Sequence, residues 1–151
     1  MLRQGNSAIR RDAGRVAMAV AALVLAAGLA SAVQAENFTT AAEVRPILTA
    51  TKANWVALRE YEGQDLLYFT QLMSWRCGLS EARYAVNGAA PAVWPLGDCQ
   101  DGTAQPNAIL PDSQIYATLN LGSVAEVTVT LIYDDGSEDS ATFPRAAILM
   151  P

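Results

Sequence analysis

The side chains of this chain that could carry chemistry fall into four groups, and none includes a histidine, because the 151 residues hold none. That absence removes Ser-His-Asp triads, Cys-His dyads and histidine-ligated zinc. With two cysteines, a four-cysteine zinc site is excluded as well. Those cysteines, Cys77 and Cys99, form the first group. In an oxidising compartment an isolated pair is most simply a disulfide, closing a loop of roughly 20 residues and contributing about 3 kcal/mol. The rival is a redox pair, which needs a thiol activated by a cation or a helix N-terminus. Arg76 is adjacent, but the CxxC spacing is missing. A structural disulfide is the expectation.

Carboxylates make the second and third groups. Asp134, Asp135, Glu138 and Asp139 are the densest acidic cluster. Hard cations want several carboxylate oxygens, so calcium is the chemical reading. The cluster lacks the later glutamate of an EF-hand loop, and a solvated hairpin turn is the expectation. Asp65, Glu81, Asp98 and Asp101 are candidates for glycoside hydrolysis by residue type only. That reaction needs two acids held about 5 Å or about 6.5–9.5 Å apart, and no motif holds these in one cleft. Ser74, Ser80 and Ser113 have only carboxylates and Lys52 as base partners. The sequence therefore assigns no catalytic residue, no metal site and no cofactor, and a non-enzymatic chain is the expectation.

The fourth group lies in residues 88–113. Pro91, Pro95, Pro106 and Pro111 are interleaved there with Gly97 and Gly102. Loops this long are usually functional or disordered. Trp94, Leu96, Ile109 and Leu110 are apolar anchors that disordered linkers lack. The prolines lower the entropy of the unfolded chain, so ordering the loop costs less. A Cys77–Cys99 bridge would pin its middle to a strand end. The expected binding loop offers a polar surface from Asp98, Gln105 and Asn107, with Trp94 beside it. The rival is a cover for an open sheet edge. Trp94 itself reads equally as a cap on the core or an exposed anchor, whereas Trp55 and Trp75 read as core.

The elements that must position these groups are mostly strands. Residues 40–51 suggest a short N-terminal helix, with Thr40 as N-cap and Glu43 at capping-box spacing. Pro46 fits that helix only if it starts late. Residues 55–61 read as a strand and 62–65 as a turn. Residues 66–75 read as a central strand, with a helix as rival, since Leu66, Phe69 and Met73 keep helical spacing too. Residues 79–86 alternate and end in Asn87-Gly88, a turn signal. Residues 93–96 suggest a short edge strand and 115–121 another strand. In 124–133, Val127, Val129, Leu131 and Tyr133 share one face. After the turn at Asp134-Asp135-Gly136, register decides the loop length. A three-residue loop pairs Val129 with Ala141 and Val127 with Phe143, keeping apolar residues together. Gly136 is then expected at positive φ. Pro144 interrupts, and 146–150 suggest a last edge strand. Strands of this number and spacing predict a mainly β fold: a small antiparallel β-sandwich, immunoglobulin- or fibronectin-like, with a possible short N-terminal helix.

The N-terminus places this domain. Arg3, Arg10, Arg11 and Arg15 precede an uncharged run over 16–30, followed by small residues at peptidase spacing. This is the pattern of a secretory signal peptide, 1–35, leaving 36–151 as a single β-rich domain. The rival is an uncleaved anchor; if the segment is cleaved, no stable membrane anchor remains. Residues 36–151 carry six basic and fourteen acidic side chains, a net charge of −8. That charge argues against nucleic acid as a partner. The expected place is the periplasm or outside the cell, and the expected partner is an unidentified protein or envelope component.

Five segments also carry a resemblance: Lys52-Ala53-Asn54-Trp55, Gly63-Gln64-Asp65, Trp75-Arg76-Cys77-Gly78, Asn87-Gly88 and Thr103-Ala104-Gln105-Pro106-Asn107. Together they resemble a group of small exported proteins of Gram-negative bacteria with no assigned function. The resemblance implies bacterial export and one domain, and implies nothing about activity.

Overall fold

Thr40 and Glu43 start the first element. In the computed structural model, which describes residues 37–151, helix α1 spans Ala41–Ala50. The Glu43 carboxylate accepts the backbone N–H groups of Thr39 and Thr40 and the Thr40 hydroxyl, at 2.9–3.0 Å. These bonds hold its pKa below the usual carboxylate value. They also satisfy donors that a helix start leaves open. Pro46 lies inside α1, so the expectation of a late start is corrected. The carbonyl it strips of a partner belongs to Ala42, which is exposed, and water can serve it. Val44 and Leu48 are buried and face the core. The expected signal segment, 1–35, lies outside the described residues.

Strands β1 (Ala57–Tyr61) and β2 (Gln64–Tyr68) form a hairpin. Its two loop residues, Glu62 and Gly63, both have positive φ, 47° and 77°, as a type I′ turn requires. The expected strand over 66–75 is corrected in its second half. β2 stops at Tyr68, helix α2 takes Thr70–Met73, and a 3-10 turn takes Arg76–Gly78. Phe69, Leu72 and Met73 are all buried, and one helical turn carries that spacing to the core.

β3 (Leu79–Val86), β4 (Ala92–Trp94), β5 (Tyr116–Asn120), β6 (Glu126–Tyr133) and β7 (Glu138–Pro144) complete two sheets. Their orders are β1-β2-β5 and β4-β3-β6-β7, and every neighbouring pair is antiparallel. The β6–β7 hairpin has the expected register: Val127 faces Phe143 and Val129 faces Ala141. Tyr133 N–H donates to the Ser137 carbonyl at 2.9 Å, and Gly136 has φ 78°. The expected edge strand at 146–150 does not form. Helix α3 spans Arg145–Ile148 and turns Ile148 into the core. Only a single parallel bridge, Leu149 to Leu58, follows.

One cluster of buried side chains joins the elements. It draws Leu58 and Leu67 from one sheet, Val127, Val129 and Leu131 from the other, and Val44 and Leu48 from α1. The fold is mainly β, with few helices. Among the described residues no helix is long and apolar enough to cross a membrane.

Candidate functional site

Three consecutive residues, Arg76, Cys77 and Gly78, organise the long segment between β4 and β5. Arg76 is the only charged residue between Asp65 and Glu81, and it is 4% exposed. Its guanidinium donates only to backbone carbonyls. Nε reaches Asp98 at 2.9 Å; Nη1 reaches Met73 at 3.0 Å and Asn107 at 2.7 Å; Nη2 reaches Ala108 at 2.9 Å. Burial pushes its pKa down, and the nearby Asp98 charge opposes that shift. Arginine suits this task because its planar fork presents five donors in fixed directions.

Cys77 is bonded to Cys99, with Cα atoms 4.9 Å apart. Its backbone N–H donates to Asn107 Oδ1 at 2.9 Å, while Asn107 Nδ2 donates to the Phe38 carbonyl at 2.9 Å. Gly78 lies against the start of α1, where a Cβ would come within 2.7 Å of the Thr40 carbonyl. The loop also bonds internally. Gln100 N–H donates to Pro106 at 3.0 Å, and Ala108 N–H to Gln105 at 3.1 Å. A segment without regular structure is thus held by a disulfide, by a buried cation and by an amide clamp.

The four residues expected in the binding loop separate. Trp94 is 2% exposed and stacks on Phe69 at 3.9 Å between ring centroids. It caps the core, which corrects its expected place beside the contact surface. Its strand partner is Ala82, and Tyr84 meets the indole edge-on at 6.1 Å between ring centroids. Asp98 is exposed, and its carbonyl rather than its carboxylate meets Arg76. Gln105 is exposed, and Asn107 is half-buried with both ends of its amide engaged. Gln105 and Asn107 share a cleft of about 250 Å³ with Phe38, Ser74 and Trp75. Phe38 meets Trp75 edge-on at 5.2 Å, and its backbone has φ 53°, a conformation bulky residues rarely adopt. No charged side chain lines the cleft, so it favours a neutral polar group over an ion.

The other candidates take structural roles. Asp134 accepts the Ala41 N–H at 2.8 Å, Asp135 pairs with Arg45 at 2.6 Å, and Asp139 pairs with Lys52 at 2.7 Å. The acidic cluster thus fastens α1 and its following turn to the β6–β7 hairpin. Among the described residues no group of three or more Cys, Asp or Glu could hold a metal. Asp65 is fully buried and accepts two bonds from Arg145, at 2.7 and 2.9 Å. Arg145 holds its pKa at about 2. Glu81 pairs with Arg83. Ser74 donates to the Thr70 carbonyl and Ser80 to the Ile132 and Tyr133 carbonyls, while Lys52 donates to Asp139 and to no serine among the described residues.

Sequence reasoning missed Arg76 as the organiser of the loop. Its one signal was isolation: a single charge in an otherwise uncharged run. Arg145 carried no comparable signal. The chain matches no protein-family model, no curated protein and no solved structure.

Proposed function

We propose that this chain is an exported, non-enzymatic binding domain of the bacterial cell envelope, acting in the periplasm or outside the cell. Its contact surface is the tethered loop between β4 and β5, with Asp98 and Gln105 as its exposed polar side chains. The observation that carries this reading is the fourfold carbonyl grip of Arg76 beside the Cys77–Cys99 bridge. A loop ordered at that cost, on a rigid sheet, is how many folds present recognition surfaces. The disulfide fits an oxidising compartment, and the N-terminal pattern over 1–35 supports export. Dispersal of the carboxylates, with Asp65 locked to Arg145, weighs against acid–base hydrolysis.

The finer fold reading is a fibronectin-like sandwich. Its support is the strand order: the first, second and fifth strands in one sheet, and the fourth, third, sixth and seventh in the other. Immunoglobulin-type sandwiches divide their strands in a similar way. The disulfide departs from the antibody pattern, since it joins the 3-10 turn before β3 to the loop rather than one sheet to the other.

A second reading is a structural accessory domain that pairs with a neighbour through an open edge. The observation favouring it is β4, a three-residue edge strand with Val93 exposed. Affinity capture from periplasmic extract decides between the two. The parent and an Asp98→Ala, Gln105→Ala double variant are compared with Val93→Lys. Loop binding predicts that the double variant loses a captured partner that Val93→Lys retains. The reverse pattern supports edge pairing, and a partner retained by both variants ends the loop reading.

A further inference from the structure

The outward face of the β1-β2-β5 sheet lies apart from the loop and has a composition of its own. Leu58 and Leu67 pair across β1 and β2 and are fully buried. Strand alternation therefore turns Arg59 and Tyr61, and Leu66 and Tyr68, away from the core. β5 continues the pattern, since Ala117 faces Leu67 and Tyr116 faces Tyr68. Register sets three rows across the face: Tyr61-Gln64-Asn120, Arg59-Leu66-Thr118 and Ala57-Tyr68-Tyr116.

Leu66, at the centre, is 6% exposed yet stands outside the core cluster. Its cover is the side chains around it on this face. The rings of Tyr68 and Tyr116 lie 5.2 Å apart, and the Arg59 guanidinium lies 4.9 Å from the centre of the Tyr61 ring. Tyr61 and Tyr116 remain 46% and 39% exposed. Among the described residues, every other lysine or arginine is hydrogen-bonded through its side chain, and Arg59 is not. No acidic residue occupies an outward position in the three rows.

We propose that this face is a platform for a polysaccharide chain. The tyrosine rings take the C–H faces of sugar rings, and Gln64, Asn120 and Arg59 take hydroxyl or carboxylate oxygens. Tyrosine suits this because it offers rigid, amphipathic contact area at small entropic cost. Size selects the occupant. Five-residue strands span about 17 Å and three strands about 10 Å across, on the order of 200 Å². A stable protein interface takes about 800 Å² from each partner, so a short run of sugars fits where a second protein does not. A guanidinium free of hydrogen bonds and the lack of acids at outward positions in the three rows accept neutral or anionic glycans and disfavour cationic ones.

The test uses residues 36–151, the form that the export reading proposed above would leave in place. Native gels containing hydroxyethylcellulose probe a neutral glycan, and gels containing polygalacturonate probe an anionic one. Co-sedimentation with purified peptidoglycan sacculi adds an envelope source. The expected result is retardation or pelleting with at least one probe. Tyr61→Ala and Tyr116→Ala should each weaken it by about tenfold. Tyr116→Phe keeps the ring and should bind as the parent does, which separates lost contact from lost folding. Arg59→Gln should matter more for polygalacturonate than for the neutral probe. Asp98→Ala and Gln105→Ala should leave glycan binding unchanged, so failure here is distinct from failure of the loop reading. Three results would overturn the proposal: no interaction with any probe, binding indifferent to both alanine variants, or a self-association that Tyr116→Ala abolishes.

Discussion

Arg76 and Arg145 each tie distant parts of the chain together, and they do so in opposite ways. Arg145 meets charge with charge, apart from one bond to the Val124 carbonyl at 3.0 Å. It reaches Asp65 at 2.7 and 2.9 Å and Glu60 at 2.5 Å. Its segment follows β7, and both acids lie on strands whose positions the sheet ladder already sets. Arg76 meets no carboxylate through a hydrogen bond, only the carbonyls of Met73, Asp98, Asn107 and Ala108. Three of those carbonyls belong to a loop with no ladder to satisfy them. Buried backbone acceptors need partners, and Arg76 supplies from one side chain what a neighbouring strand would otherwise supply. An arginine on carboxylates locks elements that already exist. An arginine on carbonyls stands in for an element that is missing.

The comparison breaks most visibly at Arg76. Arg76→Met removes four hydrogen bonds and strips the Met73, Asp98 and Asn107 carbonyls of the guanidinium, while Ala108 keeps Gln100 Nε2 at 3.1 Å, at a cost of about 3–4 kcal/mol. Denaturant titration should show the unfolding free energy falling by that amount, with a lower midpoint at unchanged slope. An unchanged midpoint would mean the carbonyls find other partners easily. Next is the covalent tether. Cys77→Ser with Cys99→Ser should cost about 3 kcal/mol. It should also admit protease between residues 97 and 108, while the sheets stay resistant. Cleavage confined to other segments would show that the loop does not depend on the bridge.

Asp65→Asn comes third, at about 1.5–2 kcal/mol, because water still reaches Arg145 and screens what is lost. This variant also has a pH signature. Asp65 titrates at about 2 in the folded chain, below its ordinary 3.8. Its contribution is therefore complete above the ordinary value and is lost as pH falls towards about 2. Removing Asp65 should flatten that acid limb. Arg76→Met should leave the limb as it is, since no carboxylate bond is broken. Equal acid sensitivity in both variants would erase the distinction between the two arginines. The smallest effect belongs to Arg145→Lys, which keeps the charge and loses the bidentate fork. Its melting temperature should fall less than that of Asp65→Asn.

How far the sequence revealed these regions depended on where the deciding contact lay. The β6–β7 hairpin was fully legible. The alternation of Val127, Val129, Leu131 and Tyr133 and the Asp-Asp-Gly turn admit one register that keeps Phe143 on the apolar face. The disulfide was legible because only two cysteines exist. The segment from Leu66 to Trp75 was half legible, since its apolar residues satisfy both periods. Tertiary packing of Phe69 on Trp94 accompanies the change from strand to helix. Trp94 itself was undecidable locally, because the rings it packs against, Phe69 and Tyr84, lie outside its own strand. Within the loop, polar exposed residues such as Asp98 and Gln105 could be guessed. The clamping of Asn107 and the grip of Arg76 could not. Arg76 finds its loop partners 22, 31 and 32 residues downstream, beyond any local spacing rule.

The central claim is that the segment between β4 and β5 is ordered by Arg76 rather than by a strand. Amide hydrogen exchange at Gln100 and Ala108 tests it most directly, because both N–H groups bond within the loop, to Pro106 and Gln105. In the oxidised parent protein these two amides should exchange far more slowly than free peptide. In Arg76→Met they should lose that protection while Val129 and Leu131 of β6 keep theirs. Free-peptide exchange at Gln100 and Ala108 in the parent, or protection that survives in Arg76→Met, would contradict the account.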